Sequence, residues 1–406
     1  MSENNASAAS RSPAVWTQVI AGSFLMLATL PGRTQGLGLI TEPLLKELQL
    51  SKASYAHINL WATLLGSLAC LPVGWWLDRR GPRLATAVLL VGLSAVVWAI
   101  SAYPSPPPQS VVMQLFGLIL LTRAFGQSAL SVVSIGVAGA AFRQGRSGAA
   151  ATYTILLSVL FMVAFGIIGK IIVLSGWRVA WADIAIALLV LTPLIFILPN
   201  RIHKDESQTT SESGFTLAES LRQPAFWLYS AGIALFAGVQ AGIGLFNEAL
   251  LAERGFDRAT YHQFLAGTAI ISLIGQGLGG GTRWMPLHKW LGLALIAQAI
   301  GLSSFSIISG TTQLWVLAAI MGISAGIITV AFFAIWPEVF GKRHLGRIMG
   351  VAQTLTVLAS ALGPLLLERG ASLTGTFTHT LLYLAAPISF FLGLLTLWLR
   401  PQSPPP

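Results

Sequence analysis

The sequence predicts an all-α membrane protein of twelve transmembrane helices, arranged as two pseudo-symmetric six-helix bundles. Three observations carry that prediction. Of 406 residues, 54% are hydrophobic and only 9% charged, whereas soluble domains carry roughly 25% charged residues. Apolar runs such as LATAVLLVGLSAVVWAI (84–100) and IAIALLVLTPLIFIL (184–198) recur along the chain, and a bilayer core needs about 20 apolar residues per helix. Finally, GLGLITEPLLKE (36–47) returns as GIGLFNEALLAE (242–253), with seven of twelve positions identical at an offset of 206 residues.

Taken in order, the spans read 14–45, 54–77, 84–103, 109–141, 148–174, 179–199, 224–251, 259–282, 289–308, 313–338, 346–369 and 377–399. Each stops where polar, Pro or Gly residues interrupt the apolar run. Span 1 follows the polar tail 1–13 and ends at KELQLSKAS. Span 2 stops at DRRGPR, span 3 at YPSPPP, span 4 at FRQGR, span 5 at SGWR and span 6 at PN. NRIHKDESQTTSESGFTLAESLRQ (200–223) is a cytoplasmic linker, in which FTLAESLRQ has the pattern of a short helix lying on the membrane surface. Span 7 stops at AERGFDRA, span 8 at GGGTRWMPLHK, span 9 at SGTT, span 10 at GKRHLGR, span 11 at ERGASLTGT and span 12 at the tail 401–406. The domains are thus bundles 14–199 and 224–400 with the linker between them. The N-terminal segment lacks the charged-then-apolar-then-cleavage pattern of a removable signal, so span 1 is expected to stay attached.

A net charge of +10 does not point to nucleic acid, because the cations cluster in short loops between apolar runs. With twelve spans the loops fall into two sets. Fifteen Lys and Arg lie in the set that includes both tails, six in the opposite set, and three inside spans. Retention of positive charge inside places both termini in the cytoplasm, in a prokaryotic-type inner (plasma) membrane. Cys70 is the single cysteine and forms no disulfide framework or metal site. No Ser/His/Asp, Cys/His or metal constellation occurs in the spans, so an enzyme is disfavoured and no cofactor or metal is expected.

The repeated phrase falls at the outer ends of spans 1 and 7, the first helices of each half. A second echo, FRQGRSGAAATYTILLSVL (142–160) against FGKRHLGRIMGVAQTLTVL (340–358), joins spans 4 to 5 and 10 to 11 at an offset of 198. Parallel repeats of this kind mark transporters whose halves move about a midplane site. The alternative is that apolar helices resemble one another by composition.

Between spans 2 and 3, GWWLDRRGPR (74–83) resembles the Gly-x-x-x-Asp-Arg-x-Gly-Arg-Arg signature of the major facilitator superfamily, with Pro82 as a substitution. RAFGQSA (123–129) on span 4 resembles the superfamily's second signature. TQGLGLITEPLLKELQLSKAS (34–54), SGWR (175–178), RQPAFWL (222–228) and SALGPLLLERG (360–370) are similar to the oxalate:formate antiporter and monocarboxylate transporter branch. The resemblance implies a solute site between spans 1, 4, 7, 8, 10 and 11. It also implies that Asp78, with Arg79 and Arg83, sits near the start of span 11 as part of an inner gate; an ordinary helix cap is the plainer reading of the same Asp. Thr282 stands where the second half would carry the equivalent Asp, which favours one latch over a symmetric pair.

An Arg at mid-bilayer depth costs about 2.5–3.5 kcal/mol on insertion scales. Arg123 lies near the centre of span 4, and Arg33 lies in LPGRT (30–34), where Pro31 and Gly32 can open span 1. A guanidinium suits a carboxylate because its fork gives two parallel hydrogen bonds. Arg33 is read as the solute anchor, against snorkelling outward or a gating role. Arg123 is read either as a second anchor or as a hydrogen-bond hub and coupling element. The resemblance sharpens Arg33, since monocarboxylate transporters place a functional Lys in a Pro-containing stretch of the first helix. Spans 8 and 11 lack the deep cations of that branch, which argues against a dianion such as oxalate.

Glu248 sits in span 7 about a turn below the outer boundary, and Glu42 is its repeat-mate in span 1. Glu248 is expected to carry a proton, or to pair with Arg33 or Arg254 at an outer gate; for Glu42 a solvated helix end is the plainer reading. Asp183 and Lys170 are expected to pair with each other. Gln35, Gln127, Gln240, Asn247 and Gln353 supply uncharged polar contacts, Gln127 one turn from Arg123 on the same face. Phe333 is an apolar wall candidate, though ordinary helix packing explains it equally. The function read from these residues is secondary transport of a small organic anion of monocarboxylate type by alternating access, as proton symport or anion exchange, by a monomer in the lipid bilayer. The alternatives are an exporter of amphipathic drugs or metabolites on the same fold, and a membrane sensor that no longer transports.

Overall fold

The computed structural model describes residues 13–142, 147–198, 214–280, 285–341, 345–399 and 401. Most of the linker and the basic loops at 143–146, 281–284 (with Thr282) and 342–344 therefore lie outside the described residues. The chain divides into two compact units, Met1–Lys204 and Asp205–Pro406.

In the first unit, span 1 is not one helix. It runs as Pro13–Leu27, a 3-10 turn at Leu30–Gly32, then Thr34–Gly38 and Thr41–Glu47. Pro31 brings no N–H to the helical ladder, and Arg33 is extended (φ −88°, ψ 153°). The break leaves carbonyl oxygens for side chains to use. Span 2 is Lys52–Ser67 followed by Cys70–Arg80, capped by Ser51, whose hydroxyl accepts the Ser54 amide. Span 3 (Pro82–Ser101) starts after Gly81, whose φ of +75° lets the chain turn sharply out of span 2. Span 4 is Val111–Thr122, a π-helical stretch Arg123–Leu130, and Ser131–Phe142; span 5 is Ser147–Ser175; span 6 is Trp177–Val190 with a 3-10 end at Thr192–Ile197. Span 1 packs on spans 4 and 5, span 2 on span 4, and span 3 on span 6. Ser94 and Ser101 pin the last pair, donating to the carbonyls of Ala185 and Arg178 at 2.7 and 2.8 Å.

The second unit opens on a short helix, Leu217–Arg222, inside the segment expected to be helical. It has a complete capping box between Thr216 and Glu219. Span 7 is Pro224–Ala252, span 8 Arg258–Gly280, span 9 Leu287–Ser304, span 10 Thr311–Phe340 and span 11 Leu345–Thr374. Span 12 runs through Phe377–Thr380, Leu381–Ala385 and Ala386–Trp398. Its core gathers Phe226, Tyr229, Leu291, Ile335, Trp336 and Phe340. Span 7 packs on 11, span 8 on 10, and span 9 on 12 and 10. The pairs 1·5, 2·4 and 3·6 of the first unit thus recur as 7·11, 8·10 and 9·12.

Among the described residues, eight helices are long and apolar enough to cross a membrane. Spans 1 and 2 fall short because they are divided. Span 9 opens on the polar LHK, and span 8 carries Gln263, Gln276 and several glycines through its length.

The echoed acids perform the same two tasks in each unit. Glu42 pairs with Lys52 at 3.2 Å, and Glu248 with Arg258 at 2.6 Å, each tying the end of a first helix to the start of the second. Glu47 accepts from the Trp177 indole (2.7 Å) and Arg178 (2.9 Å) at the start of span 6. Glu253 accepts the amides of Phe377 (2.9 Å) and Thr378 (3.3 Å) at the start of span 12. Three expectations are corrected here. The partner of Glu248 is Arg258 rather than Arg33 or Arg254, because Arg254 turns to the Ile308 carbonyl at 3.1 Å. Glu42 is a paired helix end rather than a merely solvated one. Lys170 and Asp183 are both exposed and do not pair with each other among the described residues.

Candidate functional site

The break in span 1 and the π-helical turn of span 4 meet at two glycines. A Cβ placed on Gly32 would lie 2.2 Å from the Thr122 carbonyl oxygen, and one on Gly126 would lie 3.2 Å from the Gly32 Cα. At Gly32 a side chain would force the backbone apart, and at Gly126 the neighbouring backbone would have to give by a few tenths of an ångström, so small residues are what let the helices approach here. Wide π-helical spacing is a recurrent feature of functional sites, and here it begins on Arg123.

Arg123 is 1% exposed. Its Nη1 donates to the Gly32 carbonyl (2.9 Å), Thr34 Oγ1 (3.0 Å) and Gln127 Oε1, and its Nη2 to Asn59 Oδ1 (2.8 Å). One guanidinium therefore joins spans 1, 2 and 4. Its Nε is buried without a partner. Asn59 was not singled out in the sequence, although an amide in the apolar stretch INLWATLL was the available signal.

Arg33 is partly buried and held differently. Its Nε donates to Thr29 Oγ1 at 2.6 Å, and its Nη2 to Met26 Sδ at 2.7 Å and Ser131 Oγ at 3.4 Å. The guanidinium lies over the Phe161 ring, 5.6 Å from its centroid. Nη1 makes no hydrogen bond among the described residues. The side chain runs back toward residue 26, in the direction helical side chains lean, not outward toward the end of the span. Around it, Met26, Tyr153, Leu157 and Phe161 form an apolar and aromatic wall. Among the described residues, no carboxylate pairs with Arg33 or Arg123. Glu42 and Glu47 are committed to Lys52 and Arg178.

Gln35, in the same unit, is not drawn into this cluster. Gln35 is partly buried and makes no hydrogen bond among the described residues; in the second unit the same holds for the partly buried Gln240 and the exposed Gln353. Asn247 is 3% exposed, with its Oδ1 unpartnered. Phe333 is 54% exposed and edge-on to Phe332. The side chains of Asp78 and Arg79 lie outside the described residues. Arg83 donates to the Leu198 carbonyl at 2.9 Å and the Phe196 carbonyl at 3.4 Å, tying spans 3 and 6. Sequence reading also missed His262, one turn into span 8, which is 4% exposed with both ring nitrogens unpartnered.

Twelve helical segments in two units with repeated pairings, and guanidinium groups held inside one of them, define a polytopic membrane carrier. The chain belongs to the Major Facilitator Superfamily, whose family model matches residues 19–364 and again 244–406. It is accordingly a transporter with a small-molecule substrate rather than an enzyme. No curated protein sequence matches it significantly. Among solved structures, it is similar to a bacterial homologue of the human lysosomal transporter Spinster, with a TM-score of 0.65, 16% identity and coverage of 95% of this chain and 93% of that one. It is also similar to the nucleoside transporter NupG, with a TM-score of 0.72, 12% identity and coverage of 95% and 99%. These likenesses are of fold.

Proposed function

We propose that the protein moves a small organic anion carrying one carboxylate by alternating access, with Arg33 as the group that meets the solute. The observation that carries this reading is the state of Arg33. Its hydrogen-bond partners are all neutral, one terminal nitrogen makes no hydrogen bond among the described residues, and an aromatic face lies beneath it. A carboxylate supplies both the missing charge and the missing acceptor. A single such cation with an apolar surround suits a monoanion better than a dianion.

Within the same reading Arg123 is the hub that holds the broken span 1 against spans 2 and 4, with Gln127 as its partner. Asp78, Arg79 and Arg83 belong to an inner gate, and Glu42 and Glu248 to the outer ends of their units. Gln35, Gln240, Asn247, Gln353 and Phe333 are second-rank solute contacts. Both termini are cytoplasmic, the membrane is a prokaryotic inner membrane, and the protein works as a monomer, by proton symport or anion exchange. Membership of the oxalate:formate and monocarboxylate branch remains part of this proposal and rests on the sequence motifs.

The second reading is export of amphipathic compounds, favoured by the Met26, Leu157 and Phe161 wall beside Arg33. Uptake into proteoliposomes separates the two. Saturable uptake of a radiolabelled monocarboxylate that vanishes in Arg33→Gln supports the anion reading. Uptake unchanged by that substitution, or competed by neutral amphiphiles but not by carboxylates, overturns it.

A further inference from the structure

The first turn of span 9 and the last turn of span 12 border an open cavity of about 430 Å³ lined by His288, Lys289, Leu397 and Trp398. It forms because the two helices cross with their backbones nearly touching one turn further in. A Cβ on Gly292 would meet Leu397 Cγ at 2.8 Å and the Gly393 carbonyl at 3.0 Å. That crossing sets the polar start of one helix beside the apolar end of the other.

Among the described residues, the polar side of the cavity carries one cation, Lys289, beside a histidine with free ring nitrogens. Lys289 is exposed, and its ammonium has no hydrogen bond or ion pair among the described residues. His288 is 8% exposed, with its ring stacked on Tyr229 at 6.5 Å. Its ring nitrogens make no hydrogen bond among the described residues, and the side chain lines the cavity. The start of an 18-residue helix adds partial positive charge. Glu338 is the acid nearby, and one of its oxygens is occupied by the Leu287 amide at 3.1 Å. In the sequence, Arg283 and Arg400 flank the same segments. The opposite side is apolar, and Trp398 is 89% exposed, as aromatic residues at a membrane interface are.

We propose that this cavity binds the headgroup of an anionic phospholipid, with the phosphate on Lys289 and His288 and the acyl chains along Leu397 and Trp398. A free phosphate would use the Lys289 ammonium and the His288 ring but leave the exposed indole and leucine without a partner; a lipid uses both. The positive-inside count places this end of the helices in the cytoplasmic leaflet.

Native mass spectrometry of the full-length detergent-solubilised protein tests this directly. The protein is offered equimolar dioleoylphosphatidylglycerol and dioleoylphosphatidylcholine, with and without inorganic phosphate. The glycerol lipid is expected to be retained preferentially. Lys289→Glu should lower that adduct about fivefold or more, at roughly 1 kcal/mol per juxtamembrane cation, while the choline adduct is unchanged. Lys170→Glu makes the same charge change on an exposed Lys of the first unit and should leave both adducts alone. Should Lys289→Glu fail to give monodisperse protein, Lys289→Gln reads the same loss. Equal retention of the two lipids, equal effects of the two Lys substitutions, or displacement of the lipid by inorganic phosphate overturns the proposal.

Discussion

The Arg123 guanidinium donates to the carbonyl oxygen of Gly32 across 2.9 Å, joining the middle of span 4 to the break in span 1. Thr34 and Gln127 accept from the same Nη1, and Asn59 accepts from Nη2. A Lys at this position keeps the charge but concentrates its donors on one nitrogen, so it cannot reach the four acceptors that Nη1 and Nη2 of the planar fork divide between them. Arg123→Lys should therefore destabilise the protein by about 2–3 kcal/mol, the order expected when buried acceptors of charged hydrogen bonds are left unpaired. The check is a thermal or denaturant unfolding curve of purified protein. Unchanged stability would remove the hub role.

The same junction makes a prediction about glycine. Gly32→Ala puts a methyl group 2.2 Å from the Thr122 carbonyl oxygen, where backbone rather than a flexible side chain must move. Expression and melting temperature should both fall. Gly117, in the same span 4, has nothing within 4 Å of the position a Cβ would take. Gly117→Ala should be neutral, or stabilising by up to about 1 kcal/mol from helix propensity. A pair of variants with equal effects would show that the crossing is looser than its distances imply.

How much of this was legible in the sequence depends on the range of the interaction concerned. The twelve segments were readable because apolar runs and their Pro/Gly/charge stops are local, and the bilayer forces every backbone group into helix. The GLGLITEPLLKE echo marked an internal repeat, but not what its acids do. Glu47 meets Trp177 and Arg178 more than a hundred residues away, and no periodicity announces that. Gln127 was legible as a partner of Arg123 because it lies one turn away on the same helix. Asn59, Ser131 and Phe161 reach the two arginines only through tertiary packing, so they were missed. The division of span 1 was hinted at by Pro31 and Gly32, whereas the π-helical turn at Arg123–Leu130 had no sequence signal that we recognise.

The repeated acid–base pairs differ in burial, and their energetics should differ accordingly. Glu248 has an 11% exposed side chain against Arg258 at 39%, while Glu42 and Lys52 are 26% and 37% exposed. Removing Arg258 takes the paired cation from a largely buried carboxylate, whereas removing Lys52 leaves Glu42 within reach of water. Arg258→Ala should cost roughly 1–3 kcal/mol and Lys52→Ala under about 1 kcal/mol. Added salt should shrink the second effect more than the first. Side-by-side unfolding of the two variants at low and high ionic strength reads both comparisons; a larger loss for Lys52→Ala would contradict the burial argument.

Arg33 and Arg123 should part company when stability and transport are measured on the same variants. Arg123 has acceptors on three spans and holds the fold, so its loss is expected to damage both properties. Arg33 is retained against the cost of a charge without a counter-ion, and its neutral contacts return little of that cost. Replacing it with an uncharged side chain removes an unpaired cation from the interior. Arg33→Gln should leave the melting temperature unchanged or slightly raised while abolishing saturable anion uptake, the trade expected where a group is kept for function at the expense of stability. Phe161→Leu gives a graded version. It keeps an apolar contact but loses the ring face under the guanidinium, an interaction worth about 0.5–1 kcal/mol, so KM for the anion should change about two- to fivefold with kcat preserved. If Arg33→Gln instead unfolds as readily as Arg123→Lys, the group is a strut of the helix break, and the solute must be met elsewhere.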